Sequence, residues 1–260
     1  SDLKDISRDG RWIVANVRGA SGGPRGSIYL RGTDGSPSVR VGDGSAFAFS
    51  PEGKWLTGYT SSDSATRKYV LMPTGAGEEK SIAVPGLQGN AGIIVGWLSG
   101  DQHYLVLGAL PGKKGWQFFS WDAGRAALRP VSPEGMVDML PLVAPDGRQF
   151  LAQGPDRAWY VYPIDGSAAK PVTGLTPHDI PVNWRTDGHS LYIRTHADTN
   201  KMARIFMFDS NTGQRSLWKE IRPARPVDEV YNLAITPDGH AYAYNFAQVT
   251  SDLYLMQGLK

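Results

Sequence analysis

The 260-residue chain contains no cysteine. This excludes a disulfide framework, a thiol nucleophile and a thiolate metal site, and it fits either side of a bacterial membrane. Long hydrophobic runs are also missing. The longest, Ala91 to Leu98, is broken by Gly92 and Gly96 and falls far short of the ~20 apolar residues of a spanning helix. Net charge is close to absent, at +2 from 27 Lys and Arg against 25 Asp and Glu. With no basic run and no RNA-binding aromatic motif, that balance implies no nucleic-acid partner. Apolar residues do not recur at helical spacing over any window of about 11 residues, so no helix is expected. The opening residues, Ser1-Asp2-Leu3-Lys4, include neither an initiating Met nor the apolar core of a signal peptide, and the chain reads as an excised domain of a longer protein.

What is present is turn and strand chemistry: 31 Gly and 18 Pro, with 8 Trp and 11 Tyr, a balance suited to many short strands. One turn recurs along the whole chain. It reads Ser7-Arg8-Asp9-Gly10-Arg11-Trp12, then Ser50-Pro51-Glu52-Gly53-Lys54-Trp55, then a degenerate Ser99-Gly100-Asp101-Gln102-His103-Tyr104. It continues as Ala144-Pro145-Asp146-Gly147-Arg148, Arg185-Thr186-Asp187-Gly188-His189 and Thr236-Pro237-Asp238-Gly239-His240. The acidic residues are spaced by 43, 49, 45, 41 and 51, the period of a four-stranded propeller blade. A second marker interleaves with the first, from Tyr29-Leu30-Arg31-Gly32-Thr33-Asp34-Gly35 to Leu253-Tyr254-Leu255-Met256-Gln257-Gly258, and it too counts six units.

Each unit parses into four strands bounded by turn residues. In the second, Ala46–Phe49 is strand a, Trp55–Tyr59 strand b, Lys68–Met72 strand c and Lys80–Val84 strand d. A single four-stranded antiparallel blade cannot bury both faces, so the units must stack, and closing them in a ring removes exposed ends. The expected fold is therefore all-β, one domain spanning 1–260, a six-bladed β-propeller with repeats near 1–43, 44–90, 91–137, 138–178, 179–228 and 229–260. The last unit offers only three strands, ending with Leu253–Met256. Either that blade stays three-stranded or residues upstream of Ser1 supply its fourth; Leu3–Ile6 is needed as strand a of the first blade.

A meander of this kind puts a–b and c–d turns on one face and the b–c and d–a loops on the other. The second face carries the variable segments Arg18–Gly26, Ser61–Arg67, Ala109–Gly115, Thr195–Ala203 and Asn245–Ser251, and loops on a rigid scaffold are where binding resides. At its axis the d–a segments place Asp43, Asn90, Asp138, His178, Asp179 and Asp228 at equivalent positions. Inward carboxylates and amides of this sort are candidates for holding a polar ligand or hard cation, against the plainer reading of capped loop residues. Farther out, Arg25, Arg67, Lys113, Lys114, Lys201 and Arg204 are candidates for contacting an acidic partner.

Catalytic signatures are incomplete. Gly19-Ala20-Ser21-Gly22-Gly23 matches Gly-x-Ser-x-Gly but sits in a b–c loop, without the following helix a nucleophile elbow requires. The same loop lacks the Gly-Lys-Ser/Thr ending of a phosphate loop. His103, His178, His189, His196 and His240 have no metal spacing, and the turn acids belong to the turns. Kinase motifs are missing throughout. The leading expectation is a binding module rather than an enzyme, taking a protein or a small molecule on the b–c and d–a face, with no cofactor and no membrane insertion of its own. The alternative is a propeller hydrolase or lyase with a metal at the channel mouth.

The Pro-Asp-Gly turn followed by an aromatic or aliphatic strand resembles the WD-like repeats of TolB-type bacterial propellers. Gly23-Pro24, Tyr29-Leu30-Arg31 with Thr33-Asp34-Gly35-Ser36-Pro37, and Ser251-Asp252-Leu253-Tyr254-Leu255 are more narrowly similar to the propeller that follows the kinase in some bacterial eukaryotic-like serine/threonine kinases. The resemblance implies a sensor or protein-interaction module attached to a signalling enzyme, often placed beyond a membrane segment.

Overall fold

The computed structural model describes residues 1–18, 22–23, 26–60, 68–88, 93–100, 102–137, 140–176, 179–195, 202–223 and 229–247. Every regular element among them is a strand, and no helix is long and apolar enough to cross a membrane. The first sheet contains β1 (Asp2–Ile6), β2 (Trp12–Val17), β3 (Ser27–Gly32) and β4 (Val39–Asp43). The second contains β5 (Ser45–Phe49), β6 (Trp55–Tyr59), β7 (Tyr69–Pro73) and β8 (Lys80–Ile82), and the third β9 (Ile93–Ser99), β10 (His103–Gly108), β11 (Gln117–Asp122) and β12 (Ala127–Pro130). Next come β13 (Leu142–Val143), β14 (Gln149–Gln153), β15 (Trp159–Pro163) and β16 (Lys170–Pro171), then β17 (Asp179–Trp184), β18 (Ser190–Thr195), β19 (Ala203–Asp209) and β20 (Arg215–Ile221). The sixth sheet has two described strands, β21 (Glu229–Ile235) and β22 (Tyr242–Ala247). All pairings are antiparallel between sequence neighbours.

The first strand of each sheet touches that of the next, and β21 touches β1, so these strands surround a common axis. The result is a propeller of five four-stranded blades and a sixth sheet of two described strands. Six blades with a three-stranded last one were expected, and the third strand of that blade, Leu253–Met256, lies outside the described residues. Leu3–Ile6 pairs with β2 as the first strand of the first sheet, as its apolar pattern requires.

The repeated turn folds by local hydrogen bonding. Gly53 N–H donates to Ser50 C=O at 2.8 Å, Trp55 N–H donates to Ser50 Oγ at 3.1 Å, and Gly53 takes φ 70°, a conformation cheap only for glycine. In the third unit, where Gln102 stands in place of that glycine, Gly100 takes the positive φ, 57°. The turns sharing an end of the blade are stitched together. Thr33 Oγ1 donates to Gly10 C=O at 2.8 Å, Thr74 Oγ1 to Gly53 C=O at 2.7 Å and Ser210 Oγ to His189 C=O at 2.7 Å. The a–b and c–d turns therefore occupy one face.

The core lies between blades. Val14, Ile28 and Leu30 of the first sheet bury against Phe49, Leu56 and Met72 of the second. Tyr104 and Trp121 do so against Leu71, Phe118 against Phe150 and Tyr162, Leu151 against Trp184 and Leu191, and Tyr192 against Val230 and Ile235. Each such side chain contributes roughly 1.5–3 kcal/mol of hydrophobic stabilisation. At the seam between sixth and first sheets, Leu3, Ile6 and Ala234 are buried among the described residues. Asn232 adds a polar clasp there by donating to Asp2, and Leu3 N–H donates to Asn245. Trp97 and Trp184, late in their first strands, both pack between blades, and Trp184 Nε1 donates to Leu142 C=O at 2.8 Å. Of the aromatics opening strand b, Tyr104 and Tyr192 are buried between blades, whereas Trp12 and Tyr242 are exposed.

Five of the six first strands shift register against their partner, the extra residue being Lys4 in β1, Phe47 in β5 and Val182 in β17, with two shifts in β9 and one in β21. These bulges add twist where the sheets crowd the axis.

Candidate functional site

Among the described residues, the acids of the repeated turns are engaged locally. Asp9 accepts from Ser7 Oγ at 2.6 Å, Asp146 from Arg148 N–H at 2.9 Å, and Asp187 from His189 and Ser190 N–H at 3.0 and 2.8 Å. The Thr236 hydroxyl, the His240 amide and the His240 ring pull Asp238 down to about 2. These carboxylates hold turns and are not poised for proton transfer.

Of the residues expected at the channel mouth, Asn90, Asp138, His178 and Asp228 lie outside the described residues. The other two are not brought together. Asp43 ends β4, the outermost strand of its sheet, where it pairs with Arg40. Asp179 opens β17 with a side chain only 1% exposed, its two oxygens 3.0 Å from the Arg215 guanidinium. Thr176 donates to the same carboxylate through N–H at 2.7 Å and Oγ1 at 2.9 Å. Burial pushes this carboxyl up, and the Arg215 and Thr176 hydrogen bonds outweigh it, leaving Asp179 below the usual carboxylate range. Each of the two acids is engaged by a basic side chain. Among the basic candidates, Arg25, Arg67 and Lys201 lie outside the described residues. Lys113 pairs with Glu134 at 3.3 Å, Arg204 with Glu220 at 3.1 Å, and Lys114 is exposed in the loop after β10.

The axis instead carries polar groups from within the first strands. Four residues before each turn acid stand Asp5, Ala48, Trp97, Leu142, Asn183 and Ala234. The two polar members do the same job in different pairs of sheets. Asp5 accepts from Ile6 N–H at 2.8 Å and from Phe49 N–H of the next sheet at 2.9 Å. Asn183 accepts from Trp184 N–H at 2.8 Å and donates to Ile235 C=O of the next sheet at 2.8 Å. Where both partners donate the residue is Asp; where one donates and one accepts it is Asn, as the donor and acceptor inventory of each side chain requires. The residue Asp5 is half-buried but its carboxyl is enclosed. Desolvation raises it to about 6, against the lowering effect of the two amides and of Arg8. Arg8 itself stands where three of the other turns have proline, and its guanidinium donates at 2.9 Å to Pro145 C=O in the fourth unit's turn.

One cleft opens on the face of the b–c and d–a loops. It encloses about 310 Å³ between the segment after β12 and the turn joining β14 to β15, lined by Pro133, Pro155, Asp156, Tyr160, Tyr162 and Ala169. Tyr160 OH donates to Asp156 at 2.8 Å. A second hollow, about 570 Å³, lies beside Trp55 on the turn face, where Lys80 Nζ sits 4.4 Å from the indole centre. Among the described residues no group of three or more His, Cys, Asp or Glu could hold a metal ion.

The chain matches no protein-family model and no curated protein. Its fold is similar to that of solved TolB propellers. A protein described as TolB from Agrobacterium tumefaciens superposes with TM-score 0.66 at 17% identity, over 95% of this chain and 90% of that one. TolB from Acinetobacter baumannii gives 0.62 at 17%, over 88% and 56%. An oligogalacturonate lyase in complex with manganese gives 0.57 at 15%, over 91% and 68%. At such identities the likeness is one of fold. No family match speaks for WD-like repeats or for an attached kinase.

Sequence reasoning missed Asp5, Asn183, Arg8 and the tyrosine cleft. The first three carried a signal: aligned on the turn acid, they are polar where the other units have apolar residues, or cationic where others have Pro, Gly or Thr. The cleft carried none, because Tyr160 and Tyr162 read as ordinary strand positions.

Proposed function

We propose that the chain is a six-bladed, non-catalytic binding propeller that presents its b–c and d–a loops to a protein or small-molecule ligand, as the sensing or scaffolding part of a larger bacterial protein. The observation that carries this reading is the locking of Asp179 into the Arg215 pair, which leaves this acid of the d–a face with no group to give to a reaction. The similarity to TolB propellers supports it. Incubated with oligogalacturonate, a lactone and prolyl peptides, the purified protein is expected to release no product above a buffer control. Turnover that disappears in Asp179→Ala would overturn the reading. A metal-dependent lyase or hydrolase is the second reading, favoured by the fold shared with a manganese-bound lyase and drawing on Asp138 and His178. Elemental analysis after chelator-free purification separates the two: stoichiometric Mn, Ca or Zn selects the enzyme.

A further inference from the structure

The cleft beside β15 combines features that select one class of ligand. Its walls are two tyrosine rings and two prolines, and its rim carries one carboxylate. Tyr160 and Tyr162 alternate on the strand with ring centroids 5.8 Å apart and planes inclined by 48°, so they form two sides of a corner rather than a flat platform. Tyr162 is only 3% exposed, its ring stacked on Phe150 at 5.2 Å. Its hydroxyl lines the cleft and has no hydrogen-bond partner among the described residues. Gly154 keeps the approach open: a side chain there would meet Tyr162 Oη at 3.0 Å and Asp156 Oδ1 at 3.1 Å.

We propose that this cleft binds an alkylammonium cation carrying a hydrogen-bond acceptor a few bonds from its nitrogen. The ammonium lies against the Tyr160 ring and the Asp156 carboxylate, and the acceptor takes the Tyr162 hydroxyl proton. Electron-rich ring faces attract such cations, and the exposed Asp156 supplies the complementary charge. A sugar needs an open aromatic face to stack on, and the buried Tyr162 offers its hydroxyl instead of its face. Burial, with the neighbouring Tyr160 and Asp156 adding to it, pushes Tyr162 up to about 12, so it remains a donor at physiological pH. The volume of about 310 Å³ accommodates a choline-sized molecule and falls at the small end of ligand sites.

The inference rests on the proposed binding role and gives it a ligand class. It is tested by following tyrosine resonances while the protein is titrated with choline, with its neutral isostere 3,3-dimethylbutan-1-ol, and with tetramethylammonium. Choline is expected to saturate the site at least about tenfold more tightly than the neutral alcohol, with Asp156→Asn removing that preference. Tyr162→Phe is expected to weaken choline severalfold and leave tetramethylammonium unchanged. A trimethyl-lysine peptide, whose stem carries no acceptor near the nitrogen, is expected to bind more weakly than choline, and tighter binding would overturn the role given to the Tyr162 hydroxyl. Equal affinity for choline and the neutral alcohol, no saturation, or a preference untouched in Asp156→Asn would overturn the site. Any of these outcomes leaves the non-catalytic role standing, which fails on turnover or on stoichiometric metal.

Discussion

Arg215→Met is expected to destabilise the protein by about 2–4 kcal/mol, and the expectation follows from what the substitution leaves behind. The Asp179 side chain is 1% exposed and that of Arg215 31%. Losing one partner of a fully buried pair costs roughly 3–5 kcal/mol, because the other charge stays desolvated. The partial exposure of Arg215 lowers that figure, and Thr176 still donates twice to the carboxylate. For a chain of this size the loss corresponds to a melting shift of roughly 5–10 °C. The sign with pH is also fixed. In the wild type the Asp179 carboxyl lies below its ordinary value, so its stabilisation is complete at neutral pH and fades as pH falls through the folded pKa. Without Arg215 the remaining burial raises the carboxyl, and the variant gains relative stability as pH falls. Urea unfolding between pH 4 and 7 should therefore show the deficit shrinking towards the acid end. Adding Asp179→Asn to Arg215→Met should restore a large part of it. A variant that melts with the wild type, or a deficit independent of pH, would refute the assignment of this pair as structural.

Two further outcomes follow from the turns and the axis. Gly53→Ala and Gly147→Ala both place a side chain at positive φ, 70° and 67°, but the first meets only Ser7 Cβ, at 4.0 Å, while the second would put Cβ 1.4 Å from Leu98 carbonyl oxygen. Denaturant midpoints should report about 1 kcal/mol for Gly53→Ala and at least about 3 for Gly147→Ala; equal losses would contradict the packing of that turn on the third sheet. Asp5, raised from 3.8 to about 6, should titrate near that value in a carboxyl NMR titration. Its protonated form stabilises the fold below about pH 4, and this contribution, of order 3 kcal/mol at most, is lost as pH rises through 6. An ordinary pKa for Asp5 would remove the enclosed carboxyl from this account.

The parts of the fold legible in the sequence are those encoded within a few residues. Ser50-Pro51-Glu52-Gly53 specifies its own turn, and β6, β7 and β8 begin within a residue of where their apolar runs begin. What stayed hidden depends on partners far along the chain. Asp179 looked like a loop acid because Arg215, 36 residues later, is what turns it inward. Asp5 and Asn183 differ by a donor in place of an acceptor, and the reason lies in which backbone group the adjacent sheet presents. The cleft at Tyr160 exists because of how the segment around Pro133 passes it, which no local pattern records.

The register shifts of the first strands bear on how such a chain can change. A residue that stands outside the ladder, such as Lys4, Phe47 or Val182, has no cross-strand partner with which it must agree. Its replacement leaves the alignment of its sheet undisturbed, whereas a change at a paired neighbour is felt across two strands. Strand register and the side chains at these bulges are thereby written at separate positions, and divergent sequences can keep one while altering the other. That separation gives a physical reason why identity of 17% and a shared architecture coexist between this chain and the Agrobacterium tumefaciens protein.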